Sequence, residues 1–402
     1  MNFNKGLMEN TPHQIVPINL KSPKTKSMRR TNDRCFALSA SAIKSEKTKS
    51  SYIRCLNAFL DFSHIKEYDD LLKLADKKIQ EMVEDYVVKL KTSDLNPNTI
   101  PSKLLGVQHF LVMNDKIINW KKIHKMYPEK VQSTGKQAWT TEDLQKMLGV
   151  CTNLRAKAIL LVFASTSARV GAIPMLKIRD ITDWTQTDDS SPNRRGCKKI
   201  VIYASSKEEY TSFLTPEASK AVEEYLQKRR IDGEKITGDS PLFRNLYQDN
   251  TVDSVKPISY HYLMDLVKTI VKKAGLSRNK ANRRFEVQTV HGFRKRYNTI
   301  LKNNKEINSN IAEKLMGHKN GLDGVYFVPT IEQCFVEFQK AIKDLTVDES
   351  ERLLVQNRSL ETRLSEMENL EDEIQRQKQA IAYLLSKDSE GQNKLQLQAN
   401  TK

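Results

Sequence analysis

Cysteine is scarce in this sequence, and the cysteines present are not spaced for a disulfide framework or a zinc site. They are dispersed and odd in number, which is typical of reduced thiols in a cytosolic protein. No cysteine–histidine cluster has the spacing of a zinc finger. The sequence therefore predicts an intracellular protein with no structural metal. The five cysteines are Cys35, Cys55, Cys151, Cys197 and Cys334.

Long apolar runs are also absent. No stretch approaches the roughly 20 apolar residues that span a bilayer. The N-terminus has no apolar segment of the kind found in a secretory signal. These absences predict a soluble cytoplasmic protein with no membrane partner.

Two signatures of cofactor chemistry are missing as well. The sequence has no G-x-x-x-x-G-K-[ST] phosphate-binding loop, and no acidic D-x-D cluster stands beside its candidate site residues. Neither ATP nor Mg²⁺ is implied, and we expect no cofactor.

Positive charge, by contrast, is abundant. The 402 residues include 66 Lys and Arg against 49 Asp and Glu, and the formal net charge is +17. This balance favours a polyanionic partner, with nucleic acid first and an anionic membrane second. Basic proteins are common, so the charge alone does not decide the function.

Composition and hydrophobic periodicity divide the first part of the chain into three segments. Residues 1–44 are basic and polar, and they predict a flexible tail that could contact DNA phosphates. Residues 45–130 contain three or four amphipathic helical patterns, which predict a small helical domain. The polar residues 131–138 predict a linker.

Residues 139–345 predict a second domain of mixed composition. A strongly apolar helix is predicted from Leu154 to Ile173, with Arg169 at its polar end, where a protein carboxylate is the simplest partner. Three short strands rich in β-branched and aromatic residues follow, and the turn between the last two carries Lys207 at its tip. The predicted fold class is mainly α with a small antiparallel β-sheet.

The C-terminal part repeats with a period of seven residues. Residues 346–386 predict a coiled coil, and self-association is favoured over one long helix packed back on the domain. Residues 387–402 are polar and predict a disordered tail. The seam of the coiled coil is formed by Leu353, Leu360, Met367, Ile374 and Ile381.

The densest group of candidate functional residues lies between Thr289 and Thr330. His291 and Arg294 are spaced H-x-x-R, so on a helix they share a face and point at one ligand. A phosphate is the natural ligand, because a guanidinium offers a planar fork of donors to its oxygens. A second helix ends at the Gly-His pair of His318, and a loop then leads to Tyr326.

These residues, in this order, resemble the active site of the tyrosine recombinases, or phage integrase family. The motifs ARVGAIP, SSKEEY, HGFRKRY and LMGHKNGLDGVYFVPT carry the resemblance, which covers roughly residues 139–345. The residues of these motifs are most similar to those of integrases from archaeal viruses and integrative elements. The matching residues are Arg169, Lys207, His291, Arg294, His318 and Tyr326.

The resemblance implies a role for each residue. Tyr326 would attack a DNA phosphodiester and leave a 3′-phosphotyrosyl link, and Lys207 would protonate the leaving 5′-oxygen. The two arginines would clamp the non-bridging phosphate oxygens. His291 would accept a proton or bind the phosphate, and His318 would hydrogen-bond the phosphate.

The resemblance also implies an architecture and partners. A helical core-binding domain and a mixed α/β catalytic domain would close around double-stranded DNA attachment sites, and four copies would exchange strands. The protein would then act with the nucleoid, or in the host cytoplasm if the mobile element is viral.

Two departures from the family pattern stand out. The acidic residue that often follows the first arginine is replaced by Ala172, so the group that orients Arg169 is open. Tyr326 stands one residue closer to His318 than in many bacterial members. Tyr297 is the only other tyrosine in the stretch, and its place inside a helix favours packing.

Three alternative functions remain open. A type IB topoisomerase shares the tyrosine chemistry but relaxes supercoils without joining different strands. A non-catalytic DNA-binding protein with a dimerising coiled coil would bind DNA without a covalent complex. A structural coiled-coil adaptor would show no DNA affinity above a salt-sensitive background.

Overall fold

A computed structural model describes most of the chain and separates it into two compact units. The described residues are 29, 31, 33–131, 137–184, 196–245, 255–281, 284–318 and 326–399. One unit ends at Gln132 and the other begins at Ser133. Most of the predicted linker, residues 131–138, and residues 1–28 of the predicted tail lie outside the described residues.

The first unit consists of helices joined by turns and loops, with no strand among its described residues. Its core is built from the apolar faces of successive amphipathic helices, with Phe59, Val83 and Phe110 fully buried. Ser45 caps the second helix by accepting a hydrogen bond from the backbone N–H of Thr48. The helices are α1 (Arg34–Ser41), α2 (Glu46–Phe62), α3 (Tyr68–Leu72), α4 (Asp76–Thr92), α5 (Ile100–Met113) and α6 (Trp120–Lys125).

The predicted tail over residues 1–44 is too long, because α1 lies inside it. Cys35 and Phe36 of this helix are buried in the core of the first unit. The Phe36 ring lies 4.8 Å from the Tyr68 ring, centroid to centroid. The short helix has too few apolar residues to show a clear period, so only its burial reveals that it belongs to the folded unit.

The second unit combines helices with two small antiparallel sheets. Helix makes up 62% of the chain, and the larger sheet has three strands, which confirms the predicted fold class. The elements are α7 (Thr141–Gly149), α8 (Leu154–Thr166), β1 (Ile181–Asp183), β2 (Lys198–Ile202), β3 (Tyr210–Leu214), α9 (Pro216–Ile231), α10 (Tyr260–Lys273), β4 (Lys280–Ala281), β5 (Arg284–Phe285), α11 (His291–Asn303), α12 (Ser309–Leu315), α13 (Ile331–Gln339), α14 (Ile342–Leu345) and α15 (Glu349–Ala399).

The three-stranded sheet is a meander in the order β1-β2-β3. Strands β2 and β3 pair with Ile200 opposite Ser212. The side chains of Ile200, Ile202 and Leu214 are buried in the main core of this unit. The turn between β2 and β3 carries Lys207 on the surface, at the position the sequence predicts.

Helix α8 is the buried centre of this unit, and it is shorter than predicted. Ser167 ends it in the left-handed conformation, with φ of 55°, while its N–H donates to the Phe163 carbonyl. Arg169 therefore lies beyond the helix rather than at its polar end. The apolar sequence continues past this point, because the following turn is buried too, so hydrophobicity alone does not mark the end of the helix.

The segment after Thr330 is held against the unit at both ends. Phe335 and Phe338 of α13 and Leu345 of α14 are buried in a second core that includes Tyr297. The buried carboxylate of Glu217 then accepts hydrogen bonds from the N–H groups of Val347 and Asp348, at 2.8 and 3.0 Å. These bonds fix the chain just before α15 begins.

Helix α15 is 51 residues long, about 76 Å at the usual rise per residue. It extends through most of the predicted disordered tail, residues 387–402, which corrects that expectation for residues up to Ala399. The apolar side chains of its predicted seam are exposed, with Leu360 at 53% and Met367 at 60%. The coiled coil itself stays a prediction.

No helix in the described parts of the chain combines the length and the apolar composition that a bilayer crossing requires.

The contact between α2 and α5 is close enough to test. A Cβ atom added at Gly106 would lie 2.2 Å from the Tyr52 carbonyl oxygen. We expect Gly106→Ala to destabilise the first unit by about 1–3 kcal/mol, because the two helices must move apart. Chemical denaturation followed by circular dichroism measures the loss.

Gly149→Ala is the matched control, because nothing lies within 4 Å of the added Cβ atom. It should leave stability unchanged or slightly raised. A Gly106→Ala protein that unfolds at the same denaturant concentration as the wild type would contradict the close packing.

Candidate active site

Arg294 is the most firmly held of the predicted site residues. It lies on α11 and is only 6% exposed. Its Nη1 donates to the Ser167 carbonyl at 2.8 Å, and its Nη2 donates to the Met316 carbonyl at 2.6 Å. The guanidinium thus ties the end of α8 and the end of α12 to α11, and its plane is fixed.

An open cleft of about 650 Å³ lies beside this guanidinium. Arg169, His291 and Arg294 line it together, and Arg278 lies on its wall, donating to Thr289 Oγ1 at 2.7 Å. The H-x-x-R spacing does place His291 and Arg294 at one cavity. Three positively charged guanidinium groups around one cleft make it a site for an anion.

Arg169 is exposed, and among the residues that the structure describes its side chain forms no hydrogen bond or ion pair. The carboxylate partner that the sequence favours is therefore wrong for the described part of the chain. Ala172 is fully buried, and only its backbone N–H contacts Arg169, at the carbonyl oxygen. The side chain of Arg169 is thus available to a ligand in the cleft.

His291 begins α11 at the edge of the cleft. Loss of hydration against the cleft wall lowers the pKa of its imidazole below the ordinary 6.5, and repulsion from Lys295, Arg294 and Arg169 lowers it further. The neutral imidazole is therefore the favoured form near pH 7, and it has a free lone pair for a proton.

His318 is bound on both sides. Its Nε2 lies 2.6 Å from Arg294 Nη2, and its Nδ1 is hydrogen-bonded to the carboxylate of Glu313. The other oxygen of Glu313 is paired with Lys302. Burial raises the pKa of the Glu313 carboxyl, but the hydrogen bonds from Lys302 and His318 outweigh this and hold it below its usual range.

The position of His318 depends on the glycine before it. Gly317 has φ of +63°, and a Cβ atom there would lie 2.4 Å from the Tyr210 ring. Only glycine allows this turn and this approach. Tyr210, the first residue of β3, is itself close to the Arg294 guanidinium.

Three of the six predicted residues, Lys207, His318 and Tyr326, are not among the residues that line the cleft, and His318 is linked to it through Arg294. Lys207 is exposed on the turn between β2 and β3, and Tyr326 is 81% exposed. Residues 319–325, which connect His318 to Tyr326, lie outside the described residues.

Tyr297, the rival tyrosine, is fully buried on α11, and burial raises the pKa of its hydroxyl well above the usual range. It packs in the core with Phe335 and Phe338, as its place in a helix predicts.

Three residues that position the site are not evident from the sequence motifs. Glu313 holds His318, the Ser167 carbonyl holds Arg294, and Tyr210 at the start of β3 is close to the Arg294 guanidinium. Glu313 stands five residues before His318, on the helix that ends just before Gly317. A carboxylate so close to the histidine in sequence is the feature from which this contact could be predicted.

The sequence profile of the Phage integrase family matches residues 137–322. No curated protein sequence matches the chain.

Several solved structures are similar in part. The Tn1549 transposon integrase in complex with a circular intermediate DNA is 15% identical, with a TM-score of 0.49, covering 76% of this chain and 98% of that one. A lambda integrase dimer bound to a COC′ core site is 17% identical, with a TM-score of 0.45, covering 71% and 72%. The XerH site-specific recombinase bound to a palindromic difH substrate is 16% identical, with a TM-score of 0.46, covering 68% and 74%.

The family match covers the cleft and its three arginines, and it includes Lys207, His291 and His318. It supports the predicted family, and the predicted class of enzyme, a site-specific DNA recombinase, for this part of the chain. Over residues 137–322, this chain carries a domain of the phage integrase family.

Proposed function

We propose that this protein cuts and rejoins double-stranded DNA at attachment sites through a 3′-phosphotyrosyl intermediate. The observation that carries the proposal is the convergence of Arg169, His291 and Arg294 on one cleft, with His318 bonded to Arg294. A DNA phosphodiester is an anion that fits this set of donors. The excess of basic residues supports the same substrate.

In this proposal the cleft binds the phosphate that reacts. Arg169 and Arg294 donate hydrogen bonds to its non-bridging oxygens and stabilise the negative charge that develops in the transition state. The fixed plane of Arg294 reduces the reorganisation needed during the reaction. Held this way, the phosphorus atom is open to attack from the side of the cleft.

Tyr326 supplies the nucleophile. Its phenolic oxygen forms a bond to phosphorus, and the bond from phosphorus to the 5′-oxygen breaks. The neutral imidazole of His291 accepts the phenol proton, and Lys207 donates a proton to the leaving oxygen. The phosphotyrosyl bond conserves the energy of the phosphodiester, so attack by another 5′-hydroxyl rejoins DNA without a cofactor.

The proposal extends to assembly. Four copies would act on paired sites, with α15 joining copies through its exposed seam. The substrate would place the protein with the nucleoid, or in the host cytoplasm for a viral element.

Tyr326→Phe tests the nucleophile. Incubation of the full chain with nicked suicide DNA carrying candidate attachment sites should give a covalent protein–DNA adduct with the wild type and none with the variant. DNA binding in a mobility-shift assay should be retained, because the hydroxyl is needed for chemistry rather than for affinity.

Tyr297→Phe is the control for this experiment. Its hydroxyl is fully buried and is not among the groups that line the cleft, so removing it should leave the adduct yield unchanged. An adduct formed by Tyr326→Phe but lost in Tyr297→Phe would reverse the assignment.

The lowered pKa of His291 predicts a pH dependence. Because a proton acceptor must be neutral, cleavage should fall only as the pH drops through a value below 6.5. Lys295→Gln removes one of the repelling cations, so the acid limb of the pH–rate profile should move to higher pH. Nuclear magnetic resonance titration of His291 should show the same displacement.

Lys302→Gln provides the comparison on the same helix. Lys302 is paired with Glu313 and does not contribute to the pKa of His291. An acid limb that moves equally in both variants would show that bulk charge, rather than the neighbour of His291, sets the profile.

Met367→Lys tests the seam of α15. Multi-angle light scattering of the wild type should give a mass above the 46.2 kDa of one chain, and a lysine in the seam should lower that mass. Asn369→Lys adds the same charge two residues away and should not. Equal masses for both variants and the wild type would remove the role of α15 in assembly.

A further inference from the structure

The contact between Arg294 and His318 occupies donors that a phosphate would need. A guanidinium has five N–H groups. Both hydrogens of Arg294 Nη2 are used, one by the Met316 carbonyl and one by His318 Nε2, and one hydrogen of Nη1 is used by the Ser167 carbonyl. The remaining N–H groups, on Nε and Nη1, are not adjacent, so they cannot form a fork to one phosphate.

The same contact fixes the protonation of His318. An arginine has only donors, so Nε2 of His318 must carry the lone pair that accepts from Arg294. Nδ1 must then carry the hydrogen, and it donates to Glu313. In this arrangement His318 is neutral and has no N–H directed towards Arg294 and the ligand that Arg294 binds.

We propose that a bound DNA phosphate separates Arg294 from His318, and that His318 then gains a proton on Nε2 while Glu313 holds its ring at Nδ1. This inference rests on the proposed function, since it concerns the phosphate that is cut. The proton comes from solvent, and no other bond changes. His318 thereby turns from an acceptor into a second donor to the phosphate, and Glu313 is its positioning residue.

The physical reason is a conflict of lone pairs. When a phosphate oxygen takes the Nη2 hydrogen of Arg294, Nε2 of His318 loses its donor and faces a negatively charged oxygen. Protonation replaces that repulsion with a charge-assisted hydrogen bond. The Met316 carbonyl belongs to the backbone, so His318 is the partner that can yield.

The charges around His318 decide whether this proton is gained. Arg294 and Lys302, both from α11, oppose it, while Glu313 from α12 favours it. Tyr210 from β3 contributes a neutral ring. The phosphate adds a negative charge that favours the proton. Because the Glu313 carboxyl stays ionised, its charge is available to the imidazolium.

Histidine nitrogen resonances report this change directly. The experiment uses the full-length Tyr326→Phe protein with ¹⁵N-labelled histidine, and sodium sulfate as the probe, with sodium chloride at equal ionic strength as the control. Comparison with His318→Asn assigns the resonance. We expect the Nδ1–H form without sulfate and the imidazolium with sulfate, while chloride leaves the neutral form.

Two variants on the same carboxylate separate positioning from a purely structural role. Glu313→Gln can still accept from Nδ1–H but has no charge, so the midpoint of protonation in sulfate should fall by about one pH unit or more. Lys302→Gln removes an opposing cation, so the midpoint should rise. A structural role would move both variants in the same direction.

Several results would overturn the inference. They are an Nε2–H form in the free protein, a His318 that stays neutral at every sulfate concentration, or equal midpoints for wild type and Glu313→Gln. The Tyr326 adduct is scored separately in the otherwise wild-type chain. A neutral His318 in a protein that forms the adduct rejects only this inference, whereas a protonating His318 without any adduct rejects only the recombinase chemistry.

Discussion

The candidate site depends on one buried charge and the backbone carbonyls that receive it. Burying a guanidinium is costly unless its donors are satisfied, and Arg294 is satisfied by carbonyls at the ends of two other helices. Each carbonyl lies where a residue with positive φ ends the helix. Ser167 ends α8 and offers its own carbonyl, and Gly317 follows Met316 at the end of α12. The arginine thus sets the relative position of three helices, and the rest of the site is built around it.

The need to satisfy buried donors also explains why Arg294 is bonded within the protein while Arg169 is available to a ligand. Arg294 has most of its donors inside the protein, while Arg169, two residues beyond the left-handed Ser167, is turned outward with no partner among the described residues. A phosphate in the cleft would meet one rigid and one adaptable guanidinium. In the free protein, Glu313 and Arg294 hold His318 from opposite edges.

Two further buried charged residues, Arg296 and Glu217, fix the C-terminal segment. Arg296 donates to the carbonyls of Asp344 and Leu345, and burial lowers its pKa to about 10. Glu217 accepts from the N–H groups that follow. Since these groups complement backbone donors and acceptors, they fix the path of the chain into α15. The seam residues of that helix are exposed, while Val355 near its start packs against the core that contains Tyr297.

The sequence by itself determined what depends on near neighbours along the chain. The period of its apolar residues gave the helices and the small sheet, and the H-x-x-R spacing placed His291 and Arg294 on one face. The Thr330 capping box, formed with Gln333, also follows from local spacing. The family resemblance rested on such short motifs.

Only the tertiary structure decided what depends on burial between distant residues. It ended α8 at Ser167, drew α1 into the first core, and paired Arg294 with a carbonyl 127 residues away. It also joined Glu313 to His318, where sequence motifs single out only the histidine. These contacts arise because buried polar groups must find partners wherever the fold provides them, and a local pattern does not record which distant groups those are.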